Sequence, residues 1–183
     1  MKTFSRSVAI AALLVLAACN LPQPQADTVR YFTLGGPVGG APVANGTQVR
    51  PVQLAGHLHG RVMAVRVAEH EIIYLEDVRW AEPLDEAITQ LLRARLGSVA
   101  GGATVSIQVQ RCELVRSEGN GVQLAATWSI LPVNSDKASA LRGEFTASPR
   151  TWDGKDYGAL VGLFRDAVGE LGDAIAAALP GNK

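Results

Sequence analysis

Cys19 stands where its chemistry is easiest to name. It closes Leu16-Ala17-Ala18-Cys19 at the end of an apolar run from Val8 to Ala18, behind the positive charges of Lys2 and Arg6. A short basic region, an apolar stretch and small residues form a secretory signal with its cleavage site. A cysteine at that junction makes Leu16–Cys19 a bacterial lipobox pattern. The thiol takes lipid, the chain is cut before Cys19, and the new amino terminus is acylated. The run is about half of the roughly 20 residues a spanning helix needs. Each buried CH₂ contributes about 0.8 kcal/mol, so a triacylated cysteine is a durable tether. Asn20 follows Cys19. An aspartate there is the usual inner-membrane retention signal, so Asn20 favours the periplasmic face of the outer membrane over the inner membrane.

The remaining reactive side chains assemble less. With Cys19 lipidated, Cys112 has no partner for an intrachain disulfide, and it is expected to be a small buried hydrophobe. His57 and His59 lie two apart, so in a strand both rings would face one ion. A zinc site needs three or four ligands with a supporting shell. Only His70 and Glu71 are near, so loop histidines are the expected reading. Ser98, Ser106, Ser117, Ser129 and Ser148 lie in no Gly-x-Ser-x-Gly elbow. Asp153-Gly154-Lys155-Asp156 lacks the further oxygen ligands of a calcium loop. Gly35-Gly36-Pro37-Val38-Gly39-Gly40 lacks the Lys-Ser/Thr ending of a phosphate loop. No catalytic, cofactor or metal residue is expected, and no ATP bound by this subunit.

Composition narrows the partners. Seventeen Lys and Arg balance seventeen Asp and Glu, and aromatics make up 5%. Zero net charge removes the electrostatic footprint of a nucleic-acid binder. Nineteen glycines and nine prolines fit short strands and turns better than a helical bundle.

The periodicity then predicts the scaffold. Residues 20–29 are a polar, proline-bearing tether. Tyr31–Leu34 is a short strand, and Thr47–Leu54, interrupted by Pro51, is an edge strand or bend. Arg61–Val67 and Glu71–Leu75 form a hairpin about Glu69-His70. Pro83 takes the first helical position. Leu84, Ala87, Ile88, Leu91, Leu92 and Leu96 make a helical stripe that Gly97 stops. Thr104–Leu114 alternates with a parity change that calls for a β-bulge near Gln110-Arg111. After a turn at residues 117–121, Val122–Ile130 and then Leu141–Ala147, with Phe145 inward, complete a three-strand antiparallel meander. Residues 156–179 form the last helix, with Leu160, Phe164, Val168, Leu171, Ile175 and Leu179 on one core face. The expected fold is α+β: one domain with a mixed, largely antiparallel sheet and two amphipathic helices packed on one face. Residues 1–18 are the signal peptide, 19–29 the lipidated tether and 30–180 the domain.

Three segments carry a family resemblance: Tyr31-Phe32-Thr33-Leu34 close behind the lipobox, Arg79-Trp80-Ala81-Glu82-Pro83-Leu84 opening a helix, and Asp156-Tyr157-Gly158-Ala159-Leu160-Val161 opening the last one. Together the chain resembles the ABC-type transport auxiliary lipoproteins of the paraquat-inducible protein C type. Phe32 stands where that family often has a second tyrosine. The resemblance implies a non-enzymatic, outer-membrane-anchored auxiliary of an ABC transporter with MCE (mammalian cell entry) subunits, moving lipids or other hydrophobic molecules across the periplasm. It implies MCE-domain partners, and a ring-forming partner would favour homo-oligomers. Two readings of Trp80 and Glu82 stand side by side. In one, Trp80 staples the helix start and Glu82 complements its positive end. In the other, both mark a partner-docking rim. Two other functions compete: a periplasmic lipid carrier with an apolar pocket between sheet and helices, and an envelope-assembly lipoprotein.

Overall fold

The computed structural model describes residues 27–35, 46–99, 102–117, 119–133 and 139–180. The lipobox, Cys19, Asn20 and most of the tether lie outside the described residues. So do residues 36–45, with most of the glycine-rich stretch, and residues 134–138.

Among the described residues nine strands form one open sheet: β1 (Arg30–Phe32), β2 (Gln48–Val49), β3 (Gln53–Leu54), β4 (Val62–Ala68), β5 (Glu71–Trp80), β6 (Thr104–Val115), β7 (Gly121–Leu131), β8 (Leu141–Thr146) and β9 (Arg150–Thr151). Two helices, α1 (Leu84–Leu96) and α2 (Tyr157–Ala178), complete the α+β domain. The main strand path is β1-β5-β4-β6-β7-β8. β2 and β3 run parallel to the first half of β6, and β4 runs parallel to its end. β9 pairs the start of β7.

The hairpin of β4 and β5 and the meander of β6, β7 and β8 follow the alternation. The bulge falls at Gln110, between the pairs Val109–Ala126 and Arg111–Ala125. It restores Cys112 and Leu114 to the face of Val105, Ile107 and Val109. Gly119 and Asn120 have φ of 85° and 58°. That suits the positive φ a tight hairpin turn requires.

Three details differ from the pattern-based expectation. The Thr47–Leu54 stretch is split at Pro51 into two short parallel strands. β5 runs on to Trp80, because β1 pairs it in parallel at Val78–Trp80. Pro83 is the N-cap, with ψ 133°, and the helix begins at Leu84.

Both helices cover one face. Leu84, Ile88, Leu92 and Leu96 of α1 are each 3% exposed or less, and Leu160, Phe164, Leu171 and Ile175 of α2 are fully buried. They meet Val105, Val109, Leu124 and Ile130 of the sheet in one core. Asp156 caps α2 by accepting the Gly158 N–H at 2.7 Å, which satisfies one of the donors left unpaired at a helix start. Arg95 of α1 forks onto Asp173 of α2 and ties the two helices at the surface.

Candidate functional site

The three segments that carry the family resemblance are far apart in sequence and meet at one corner of the domain, where the tether enters. Phe32 of β1 lies beside Trp80 in the parallel register, and the Ala81 N–H donates to the Phe32 carbonyl at 2.7 Å. The Thr33 hydroxyl donates to Glu82 Oε1 and accepts the Gly35 N–H. From α2, the Tyr157 ring stands 6.2 Å from Phe32 and 5.1 Å from Trp152. The Arg30 guanidinium sits 5.0 Å above Phe32 and 5.7 Å from Tyr157, within reach of a cation–π attraction. Trp152 Nε1 donates to the Asp156 carbonyl at 2.7 Å, fixing the loop that feeds α2.

Trp80 and Glu82 part company in this corner. The Trp80 ring is 3% exposed. It packs edge-to-face on Phe164 of α2, 5.7 Å between centroids, the arrangement aromatic quadrupoles prefer. It therefore braces β5 against α2 and presents almost no surface of its own. Glu82 is half-buried, with Thr33 as its partner. The outward groups of the corner are Tyr31, 54% exposed, with Arg30 and Glu82. Nothing here pairs a nucleophile with a base.

A second constellation lies on the other face of the sheet. Glu113, on β6, is fully buried although its side chain leaves the sheet on the face without helices. Arg66 Nε donates to its Oε1, and His57 Nε2 lies 3.2 Å from Oε2. The Tyr74 hydroxyl donates to the His57 carbonyl at 3.1 Å. A short 3₁₀ turn, Gly56–Leu58, carries His57 over Glu113. His59 turns away and meets the Leu54 carbonyl at 3.1 Å. The two histidines thus serve different partners instead of converging on one ion. The hint in the sequence was the parity change at Gln110, which sends Glu113 outward. Its cover comes from residues 47 and 56 positions away and follows from no local pattern.

Two further groups are assigned by their environments. Cys112 is buried, and desolvation followed by the Glu113 charge pushes its thiol up to about 12. It is an inert core residue, since the thiolate is the reactive form. Asp153 Oδ1 accepts the N–H groups of Lys155 and Asp156. These bonds hold its carboxyl below the usual range and commit that oxygen to a turn.

Among the described residues no helix is long and apolar enough to cross a membrane. No curated protein matches the chain in sequence. Among the solved structures that share its fold are two with TM-scores above 0.6. One, an uncharacterized protein, has a TM-score of 0.62 at 16% identity, over 81% of this chain and 96% of its own. The other, protein XCC0632 from Xanthomonas campestris, assigned to DUF330, has a TM-score of 0.61 at 17% identity, over 82% of this chain and 91% of its own. At such identities the likeness is one of fold. The sequence itself carries more: residues 32–176 match the family described as ABC-type transport auxiliary lipoprotein component, and the chain belongs to that family.

Proposed function

We propose that this protein is a non-enzymatic lipoprotein, anchored through lipidated Cys19 to the periplasmic face of the outer membrane, where it serves an MCE-type ABC transport system. The observation that carries the reading is the family match over residues 32–176 downstream of a complete lipobox at Leu16–Cys19. Anchoring confines the domain to a surface and raises its effective concentration for a periplasm-spanning partner. The energy of transport comes from a cytoplasmic subunit. The tether-proximal corner is the docking rim in this reading. Glu82, Arg30 and Tyr31 make contact, and Trp80 holds the rim in shape from inside.

A carrier with its own apolar pocket fits less well. The space between sheet and helices is occupied by Ile88, Leu92, Phe164, Leu171 and Ile175, all fully buried.

Affinity purification of the native protein from its own envelope, with mass spectrometry of what is bound, tests the reading. An MCE subunit should be recovered, and Glu82→Arg should reduce its yield. Recovery of barrel-insertion or export components in its place would assign the protein to envelope assembly. Cys19→Ala should move the protein from the membrane to the soluble fraction, and retention of that variant would contradict lipid anchoring.

A further inference from the structure

The face of the sheet opposite the helices carries a groove of about 520 Å³ across β6, β7 and β8, walled by the β2–β3 segment. Its volume is within the range of small-molecule sites. The strand registers lay its floor out in two rows. In the first, the Arg50 N–H donates to the Val105 carbonyl at 3.0 Å, which sets Arg50 beside Ser106. Ser106 then pairs with Ser129, and Ser129 with Arg142. In the second, Gln53 pairs with Gln108, Gln108 with Thr127, and Thr127 with Glu144. A smaller hollow of about 210 Å³ shares Arg50, Ser106, Ser129 and Arg142 and prolongs the groove past the first row.

The first row is a guanidinium at each end with two hydroxyls between them. Neighbouring strands stand about 4.8 Å apart. The arginine side chains can therefore lean inward over the two serines from either side. Neither Arg50 nor Arg142 has an ion pair or a side-chain hydrogen bond among the described residues, unlike Arg66, Arg95 and Arg150, each tied to a carboxylate. Glu144 shares the outer face of β8 with Arg142 and forms no ion pair with it among the described residues. Among the described residues the groove thus holds two cations without an ion pair against one carboxylate, in a chain whose overall charge is zero.

We propose that this groove binds a tetrahedral oxyanion of the phosphate class, held between Arg50 and Arg142 and seated on the hydroxyls of Ser106 and Ser129. A planar fork of N–H donors matches phosphate oxygens, which is why arginine recurs at such sites. The serine hydroxyls can donate to the oxygens that the arginines leave unpaired. The same chemistry is offered by the head group of an anionic lipid and by free phosphate. The site stands apart from the transport reading, because it needs no partner protein to be occupied.

The test uses the full-length chain in a nonionic detergent at low salt, with two probes. One is inorganic phosphate in solution, and the other is dioleoyl phosphatidate dissolved in the same micelles. Titration calorimetry and the ³¹P resonance report binding. Saturable binding of at least one probe, one per chain, is expected. Arg50→Gln and Arg142→Gln should each weaken it tenfold or more, as loss of a hydrogen bond to a charged group does. Glu144→Gln should tighten it severalfold. Arg165→Gln, on the exposed side of α2, should leave it unchanged. Saturation by phosphatidate with no response to inorganic phosphate assigns the groove to a lipid head group. Comparable binding of both probes assigns it to the free oxyanion. The proposal is overturned if neither probe binds, or if binding survives both arginine substitutions.

Discussion

The two faces of this sheet are built on different physics. The helix-covered face is closed by volume: Val105, Val109, Leu124 and Ile130 meet Leu92, Phe164 and Leu171 with no side chain above 3% exposure. The free face is closed, where it is closed at all, by charge. Glu113 is buried there with Arg66 and His57 over it, and the next stretch of the same face is left open as a groove. Dispersion and apolar burial are non-directional and tolerate either member of a stripe. A buried carboxylate needs each partner in place. Substitutions on the covered face should therefore follow the volume removed, and those on the free face the charges left unmatched.

The covered face sets the upper end of the scale. Phe164 is fully buried and meets the Trp80 ring. Phe164→Ala should destabilise the domain by about 3–5 kcal/mol, the transfer term plus a cavity. Equilibrium unfolding in urea measures it, and the loss should hardly change between low and high salt. A loss under about 1 kcal/mol would mean that the corner where β5 meets α2 is not part of the core.

On the free face the corresponding change is Glu113→Ala. It strands Arg66, 13% exposed, against a buried wall. Removing one partner of a buried pair costs about 3–5 kcal/mol, and the partial exposure of Arg66 and His57 puts the expected loss near the lower end. Replacing the pair together, Arg66→Leu with Glu113→Leu, should recover most of it. If the double variant is no better than the single, the face is held by shape after all, and the contrast between the faces fails.

These two faces were not equally legible. The stripe from Leu160 to Leu179 and the alternation of β6 and β7 depend on neighbours three, four or two residues away, so periodicity alone recovered the helices, the meander and the bulge at Gln110. The parallel pairings of β1 with β5 and of β2 and β3 with β6 were not legible, since a strand of two or three residues has too little pattern to show its partner. The groove escaped for a related reason. Ser106, Ser129 and Arg142 are polar positions of alternating strands, and Arg50 precedes a proline. Each reads singly as a solvent-facing residue, and only the four-strand register makes them one row. The tether-proximal corner was legible as motifs but not as a place, because nothing in Tyr31–Leu34, Arg79–Leu84 and Asp156–Val161 says that they touch.

A smaller effect is expected where a backbone must stay bare. Gly143 on β8 lies opposite Trp128 of β7, and a Cβ there would run into the indole ring. Overpacking of this kind costs about 1–3 kcal/mol, so Gly143→Ala should lower the thermal midpoint by several degrees. Trp128→Leu in the same chain should relieve the clash and regain part of the loss. The absence of any loss from Gly143→Ala would show that the indole has another resting place. Trp128 Nε1, buried with no hydrogen-bond partner among the described residues, would then find one on moving.

The smallest effect lies where the helix layer meets the sheet edge, and its pH dependence separates it from the others. Glu170 of α2 accepts from the Arg150 guanidinium and from the Ser148 N–H. Those bonds, the arginine first, hold its carboxyl below the ordinary value of 4.5. A depressed carboxylate stabilises the fold fully above its unfolded pKa. The contribution fades as pH falls through the folded value, because the unfolded chain takes up the proton first. Glu170 keeps 35% of its side chain in water, so the pair should contribute only about 0.5 kcal/mol. Glu170→Gln should thus be slightly less stable than the parent at pH 7. The two urea curves should converge as pH drops below 4.5, whereas the gap produced by Phe164→Ala persists across the same range. A Glu170→Gln deficit that stays constant down to strongly acidic pH would show that the bonds act through shape, and would move this contact from the electrostatic side of the comparison to the steric one.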